Sequence, residues 1–256
     1  MMVESIKEGV EASRIDAAGT YYRDLNQKIK ELAQDGVSHI ELHNVFGQRY
    51  IGTGLGRAID IDIYGTPGND LGMLMNGSKI TVHGNAQDGC GNTMNEGTII
   101  VHGHAGDVPL LSARGGHLFV RDDVGYRAGI HMKEYGEKKP VLVVGGTAQD
   151  FCGEYMAGGV LILLGLTLRE GEKHKANFVG TGMHGGVIYL RGEIDSYRFG
   201  KEVGVAPLDD KDISTLGKYV GEYAAYFKCR ADDIMKGKFT KLFPKYLRPY
   251  GQLYAY

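Results

Sequence analysis

Four side chains with chemical potential recur at one position of a repeated phrase. Tyr64, His83, His102 and Arg121 follow one another at steps of 19 residues. If each phrase is a strand stacked on the next, these residues form one surface ladder. His83 and His102 would then lie near enough to share a divalent metal. No third ligand is evident, and Arg121 would oppose a cation. The ladder therefore reads as stacked rings or a contact surface, with no metal assigned.

Other candidates give way to structural readings. Asp70, Asp88, Asp107 and Asp150 fall at similar Gly-rich bends. Carboxylates and Arg in a cleft would suit a sugar-active enzyme, but Asp in a tight bend ordinarily accepts backbone N–H groups. Cys90 and Cys152 occupy equivalent corners three coils apart, about 14 Å at sheet spacing. That is too far for a disulfide, which needs Cα atoms within about 7 Å. Gly52-Thr53-Gly54-Leu55-Gly56 resembles a dinucleotide loop, yet the alternating Ala58-Ile59-Asp60-Ile61-Asp62-Ile63 after it reads as a strand. Without a following helix there is no N-terminus to hold a pyrophosphate. No Ser-His-Asp or Cys-His pair assembles from spacing, so no catalytic or cofactor-binding residue is assigned.

The elements that position these residues are coils. Ile61-Asp62-Ile63-Tyr64-Gly65 is echoed by phrases starting at Ile80, Ile99 and Leu118, and less evenly at Val141, Leu161 and Ile188, where the steps become 23, 20 and 27. A short strand recurring this way marks a solenoid. Alternation puts Ile63, Val82, Val101 and Val120 inside and the ladder outside. Ala86–Met94 and Ala148–Met156 agree at six of nine positions and form matching corners. Gly77, Gly97, Gly116, Gly159 and Gly186 close the coils just before the next strand. Uneven coils without a six-residue echo suit a single-stranded right-handed parallel β-helix of about seven coils, an all-β fold. The charged insertions at 133–139 and 169–175 should be solvated loops.

The ends read as helical caps, giving three zones: 1–36, 37–207 and 208–256. Thr20 is placed as the cap of a helix carrying Tyr22, Leu25, Ile29 and Leu32, ended by Gly36. Ile213, Leu216, Val220, Tyr223 and Phe227 mark a second amphipathic helix from near Asp212. The aromatic, basic segment Phe239–Tyr246 then packs on the coils or on a partner. A net charge of −2 without a basic run gives nothing for nucleic acid to bind. No secretory pattern, no membrane-length apolar run and three unpaired Cys fit a cytoplasmic protein.

Gly47-Gln48-Arg49-Tyr50-Ile51-Gly52-Thr53-Gly54-Leu55-Gly56, with coils such as Gly97-Thr98-Ile99-Ile100-Val101-His102-Gly103, resembles the C-terminal GXGXG domain of the glutamate synthase large subunit. The resemblance runs from about residue 37 to the end and includes Phe243-Pro244. It implies a right-handed β-helix that joins a glutamine amidotransferase domain to an FMN-binding synthase domain. It also implies a domain without the nucleophile, flavin or iron–sulfur ligands of the enzyme. The expected role is a non-catalytic scaffold subunit with no cofactor of its own, docking amidotransferase-like and FMN-binding synthase-like subunits. A homo-oligomer in isolation is compatible with it. The ladder Tyr64, His83, His102 and Arg121 is the expected contact face. The same β-helix also resembles the C subunit of formylmethanofuran dehydrogenase and components of N-methylglutamate-forming enzymes. A free-standing sugar-active β-helix enzyme is the rival of a different class.

Overall fold

A computed structural model describes residues 13–246. In chain order the elements are β1 (Ser13–Asp16), α1 (Tyr22–Gln34), β2 (His39–Phe46), β3 (Asp60–Thr66), β4 (Asn76–Val82), β5 (Glu96–Val101), β6 (His117–Val120), β7 (Val141–Val144), β8 (Ala157–Leu163), β9 (Gly185–Arg191), β10 (Val203–Ala206), α2 (Asp210–Phe227), α3 (Ala231–Met235) and β11 (Phe239–Pro244). β1 to β9 stack in chain order as one parallel ladder. Each connection returns the chain beside the strand it left, a crossover that right-twisted strands make right-handed. The parallel β-helix is thus the fold. β3 to β9 are the seven expected coil strands, separated by six turns; β2 holds the strand expected at Ile40–His43 to open the solenoid, and β1 adds one rung below it.

The register corrects one phrase. Ile61, Ile80, Ile99 and Leu118 pair in sequence, but Leu118 pairs with Leu142, and Leu142 with Leu161. The fifth coil therefore begins at Leu142 and not at Val141. A one-residue slip exchanges the faces of a strand. Val-Leu-Val-Val is apolar throughout, so nothing in it marks which pair faces in.

The two faces have different fillings. Inside, Ile61, Ile63, Ile80, Val82, Ile99, Val101, Leu118, Val120, Leu142 and Val144 form a continuous core. Outside β6 to β9, Phe119, Val141, Val143, Val160, Ile162, Leu164 and Tyr189 form a second core with Leu216, Tyr219, Val220 and Tyr223 of α2. So α2 lies along the flank of the sheet and does not cover its end. Its N-cap is Asp209, which forms a reciprocal capping box with Asp212, and the helix begins at Asp210. Ile213, expected on the buried face, is 51% exposed.

The two ends close differently. At the first, Leu25, Ile29 and Ala33 of α1 join the inner core, as a cap should. Tyr21 is the N-cap position and no side chain caps it, so Thr20 does not have that role. At the other end β11 pairs antiparallel with β9, and β10 antiparallel with β11. The Phe239–Tyr246 segment is thus held by its own coils through residue 244.

Seven successive corners share one backbone device. Positive φ recurs at alternate residues: Tyr50/Gly52/Gly54, Asp70/Gly72/Leu74, Gly89/Gly91/Thr93, Val108/Leu110/Ser112, Arg127/Gly129/His131, Phe151/Gly153/Tyr155 and Phe178/Gly180/Gly182. The corner groups bond from coil to coil, as in Gly91 N–H to Leu71 O and Gly153 N–H to Ala128 O, both 2.8 Å. The middle position turns inward, where Leu110 is fully buried. Gly77 and Gly97, and Gly159 and Gly186, lie inside their strands at the two register shifts β4/β5 and β8/β9, so they are bulge positions rather than turns ahead of the strand. The insertion at 169–175 is mostly exposed, but His174 is buried, with Nε2 2.9 Å from the Arg191 carbonyl.

Candidate docking face on the open half of the sheet

Where α2 stops, the outer sheet face is open and polar. Its outward residues are His39, Glu41 and His43 on β2, Asp60, Asp62 and Tyr64 on β3, and Lys79, Thr81 and His83 at and after β4. The opposite parity fills the core.

The expected ladder is present and one rung longer. His43 stacks on Tyr64 with centroids 4.4 Å apart, Tyr64 on His83 at 4.5 Å, and His83 on His102 at 5.5 Å, all within 14° of parallel. Strands in a sheet sit about 4.8 Å apart, so identical positions on adjacent rungs arrive at stacking distance without further adjustment. Phe227, at the end of α2, meets the last imidazole edge-on at 5.1 Å. Arg121 occupies the next rung, but its guanidinium forks onto Asp122 at 2.9 and 3.1 Å. Its carbonyl accepts the Tyr223 hydroxyl at 2.9 Å. The structure therefore brings Tyr64, His83 and His102 together and turns Arg121 away.

One carboxylate ties the face across rungs. Asp62 accepts from His83 Nε2 at 2.8 Å through one oxygen and from His39 Nε2 at 2.9 Å through the other. His43 meets Glu41 at 3.1 Å. Burial pushes His102 below the ordinary imidazole range, helped by the charges of His83, Arg121 and Lys228. Among the described residues no group of three or more His, Cys, Asp or Glu side chains converges as a metal site.

The bend carboxylates are used as turn chemistry suggests. Asp88 Oδ1 accepts the Asp107 N–H, Asp107 Oδ1 the Tyr126 N–H, and Asp150 Oδ1 the Asn177 N–H, each at 2.8 Å. Asp70 accepts from Asn92 Nδ2 at 2.9 Å. Each joins one coil to the next and leaves no facing acid–base pair. Cys90 and Cys152 are fully buried free thiols, and burial pushes both up to about 12. The Gly52–Gly56 segment is a bend leading into β3, without a helix after it.

Sequence reasoning missed His39, His43, Asp62 and Phe227. The β2 strand Ile40-Glu41-Leu42-His43 carries the same alternation as Ile61-Asp62-Ile63-Tyr64, so His43 was within reach. Phe227 lies over 100 residues from the ladder and leaves no local trace. No helix among the described residues is long and apolar enough to cross a membrane.

Comparison with known proteins gives the same grouping. The profile of the GXGXG motif family matches residues 24–250. An uncharacterized protein of Methanocaldococcus jannaschii is 46% identical, covering 97% of this chain and 98% of its own length. The ferredoxin-dependent glutamate synthase of Pyropia yezoensis is 30% identical over 63% of this chain. The chloroplastic ferredoxin-dependent glutamate synthase of Spinacia oleracea is 35% identical over 36% of it. The matched stretches span only 9% and 5% of those two synthases. On a full set of αL corners, a register-true coil repeat and a match over most of its length, the chain belongs to the GXGXG family, related to a domain of the glutamate synthase large subunit.

Proposed function

We propose that this chain is a non-catalytic scaffold subunit of a glutamate synthase-like assembly, docking amidotransferase-like and FMN-binding synthase-like partners in the cytoplasm. One observation carries the reading. The chain corresponds at full length to a short relative, yet to under a tenth of each much larger synthase. The GXGXG family match takes in residues 24–250 of this chain, whereas the stretches shared with the synthases are a small part of each of those polypeptides. Three of the bend carboxylates, Asp88, Asp107 and Asp150, are committed to backbone N–H groups, which favours scaffold over sugar chemistry. The contact face is the open half of the sheet, centred on His43, Tyr64, His83 and His102, with Arg121 at its border. Over the described residues, the zone up to 36 then serves as first rung and cap, 37–207 as rod, and the zone from 208 as flank and closing strand.

The test is reconstitution. Separately purified amidotransferase-like and synthase-like proteins encoded beside this gene should bind the chain and, with an electron donor supplied, form glutamate from glutamine and 2-oxoglutarate only in its presence. Glutamate formation by the isolated chain would refute the scaffold role. Stable capture by a molybdopterin enzyme would move the chain to the formylmethanofuran dehydrogenase reading.

A further inference from the structure

A cleft of about 510 Å³ opens between α2 and the charged loop at 133–139, well away from the ring ladder. Its size is that of a small-molecule site. Gly159, Val160, Gly186 and Val187 of adjacent strands form its floor. The acids around it are already matched. Glu134 holds Lys139 at 3.4 Å and accepts the Gly159 N–H at 3.0 Å. Asp212 and Asp209 hold Lys241 at 2.6 and 3.3 Å. Two cations remain. Lys211 and Lys218 line the α2 wall, and among the described residues neither has a carboxylate partner. They are seven residues apart, two helical turns, so they share a face about 10 Å apart along the axis. The hydroxyls of Ser214 and Thr215 lie between them. Lys218 Nζ rests 4.8 Å from the Tyr219 ring centroid, which restrains the ammonium before any ligand arrives.

We infer that this cleft binds a small polyanion, whose carboxylate or phosphate groups bridge Lys211 and Lys218 over the Gly159–Gly186 floor. The site does not depend on the scaffold reading. Calorimetric titration of the full chain with citrate, succinate, pyrophosphate and inorganic phosphate, at constant ionic strength, tests it. Saturable one-to-one binding of at least one probe is expected. Citrate or succinate alone would assign a carboxylate ligand, and pyrophosphate or phosphate alone a phosphorylated one. The Lys211→Ala/Lys218→Ala variant, altered only at exposed positions, should bind about tenfold or more weakly, the usual loss of a charged hydrogen-bond partner. Lys28→Ala on α1 should bind as the parent does. Absence of saturation with all four probes overturns the inference, as does undiminished binding by the double variant.

Discussion

Replacing Gly153 by Ala tests whether the alternating left-handed corners are as closely stacked as they look. Gly153 has φ +70°, and a Cβ there would lie 2.6 Å from Ile188 Cδ1 on the next coil. Two terms add. The left-handed backbone costs an L-residue about 1–2 kcal/mol, offset by about 0.4–1 kcal/mol from the stiffer unfolded chain. Overpacking adds about 1–3 kcal/mol. The net expectation is a loss of about 1–4.5 kcal/mol, summed from those ranges. Gly136 is the control: φ is +59° and nothing lies within 4 Å of its Cβ site, so only the backbone terms apply. Gly136→Ala should cost no more than about 1.5 kcal/mol. Ile188→Val removes the obstructing methyl. Alone it costs about 0.5–1.5 kcal/mol, but added to Gly153→Ala it should restore stability, a coupling of about 1 kcal/mol or more. The assay is urea unfolding followed by circular dichroism, because the chain has no Trp. Equal losses at Gly153 and Gly136, or additive behaviour with Ile188→Val, would refute the reasoning.

The other predictions concern the flank, the thiols, the imidazoles and the ladder. Asp212, 4% exposed, receives the Tyr189 hydroxyl at 2.6 Å and Lys241 Nζ at 2.6 Å and closes the α2 capping box, so Asp212→Ala should lower unfolding free energy by about 3–5 kcal/mol in urea titration. A thiol reagent should label one Cys in the native chain, the exposed Cys229, and all three after unfolding. Burial first, in each case, holds His102, His117 and His174 below the ordinary imidazole value of 6.5. The unfolded chain therefore takes up those protons first, and stability is intact above about pH 6.5 and lost as pH falls below it. The urea midpoint should drop between pH 7.5 and pH 5.5, and a constant or rising midpoint would contradict the assignment. Tyr64→Ala, at a site 38% exposed, should cost under about 1.5 kcal/mol of stability by the same titration but abolish partner binding in the reconstitution.

The coil repeat was legible because a stacked strand must repeat its own pattern. Ile61, Ile80, Ile99 and Leu118 share one pairing column, and each step of the chain shows it. The faces of β7 were not legible, since Val141–Val144 is apolar on both sides. The change along the chain was itself a signal. Asp-Ile-Asp-Ile-Tyr alternates and leaves one face to solvent, whereas Val-Leu-Val-Val and Leu-Ile-Leu-Leu read as strands buried on both sides. That contrast separates the open half of the sheet from the half under α2. The corners were recognised by Gly, but Val108, Phe151 and Tyr155 take the same left-handed conformation. Inter-coil hydrogen bonds impose it there against local preference.

Thus the spacing of 19 residues alone determined the rod, its inner ladder and the alignment of Tyr64, His83 and His102. Those are consequences of period, and period is a local property of the chain. Only the tertiary structure decided that Arg121 turns aside to Asp122, that Phe227 ends the ring stack, that Asp62 bridges His39 and His83, and that α2 lies on the flank. The last of these, and with it the place of Phe227, depends on which apolar surface a distant segment covers. That choice is made by burial across more than 100 residues of chain, where no spacing in the sequence records it.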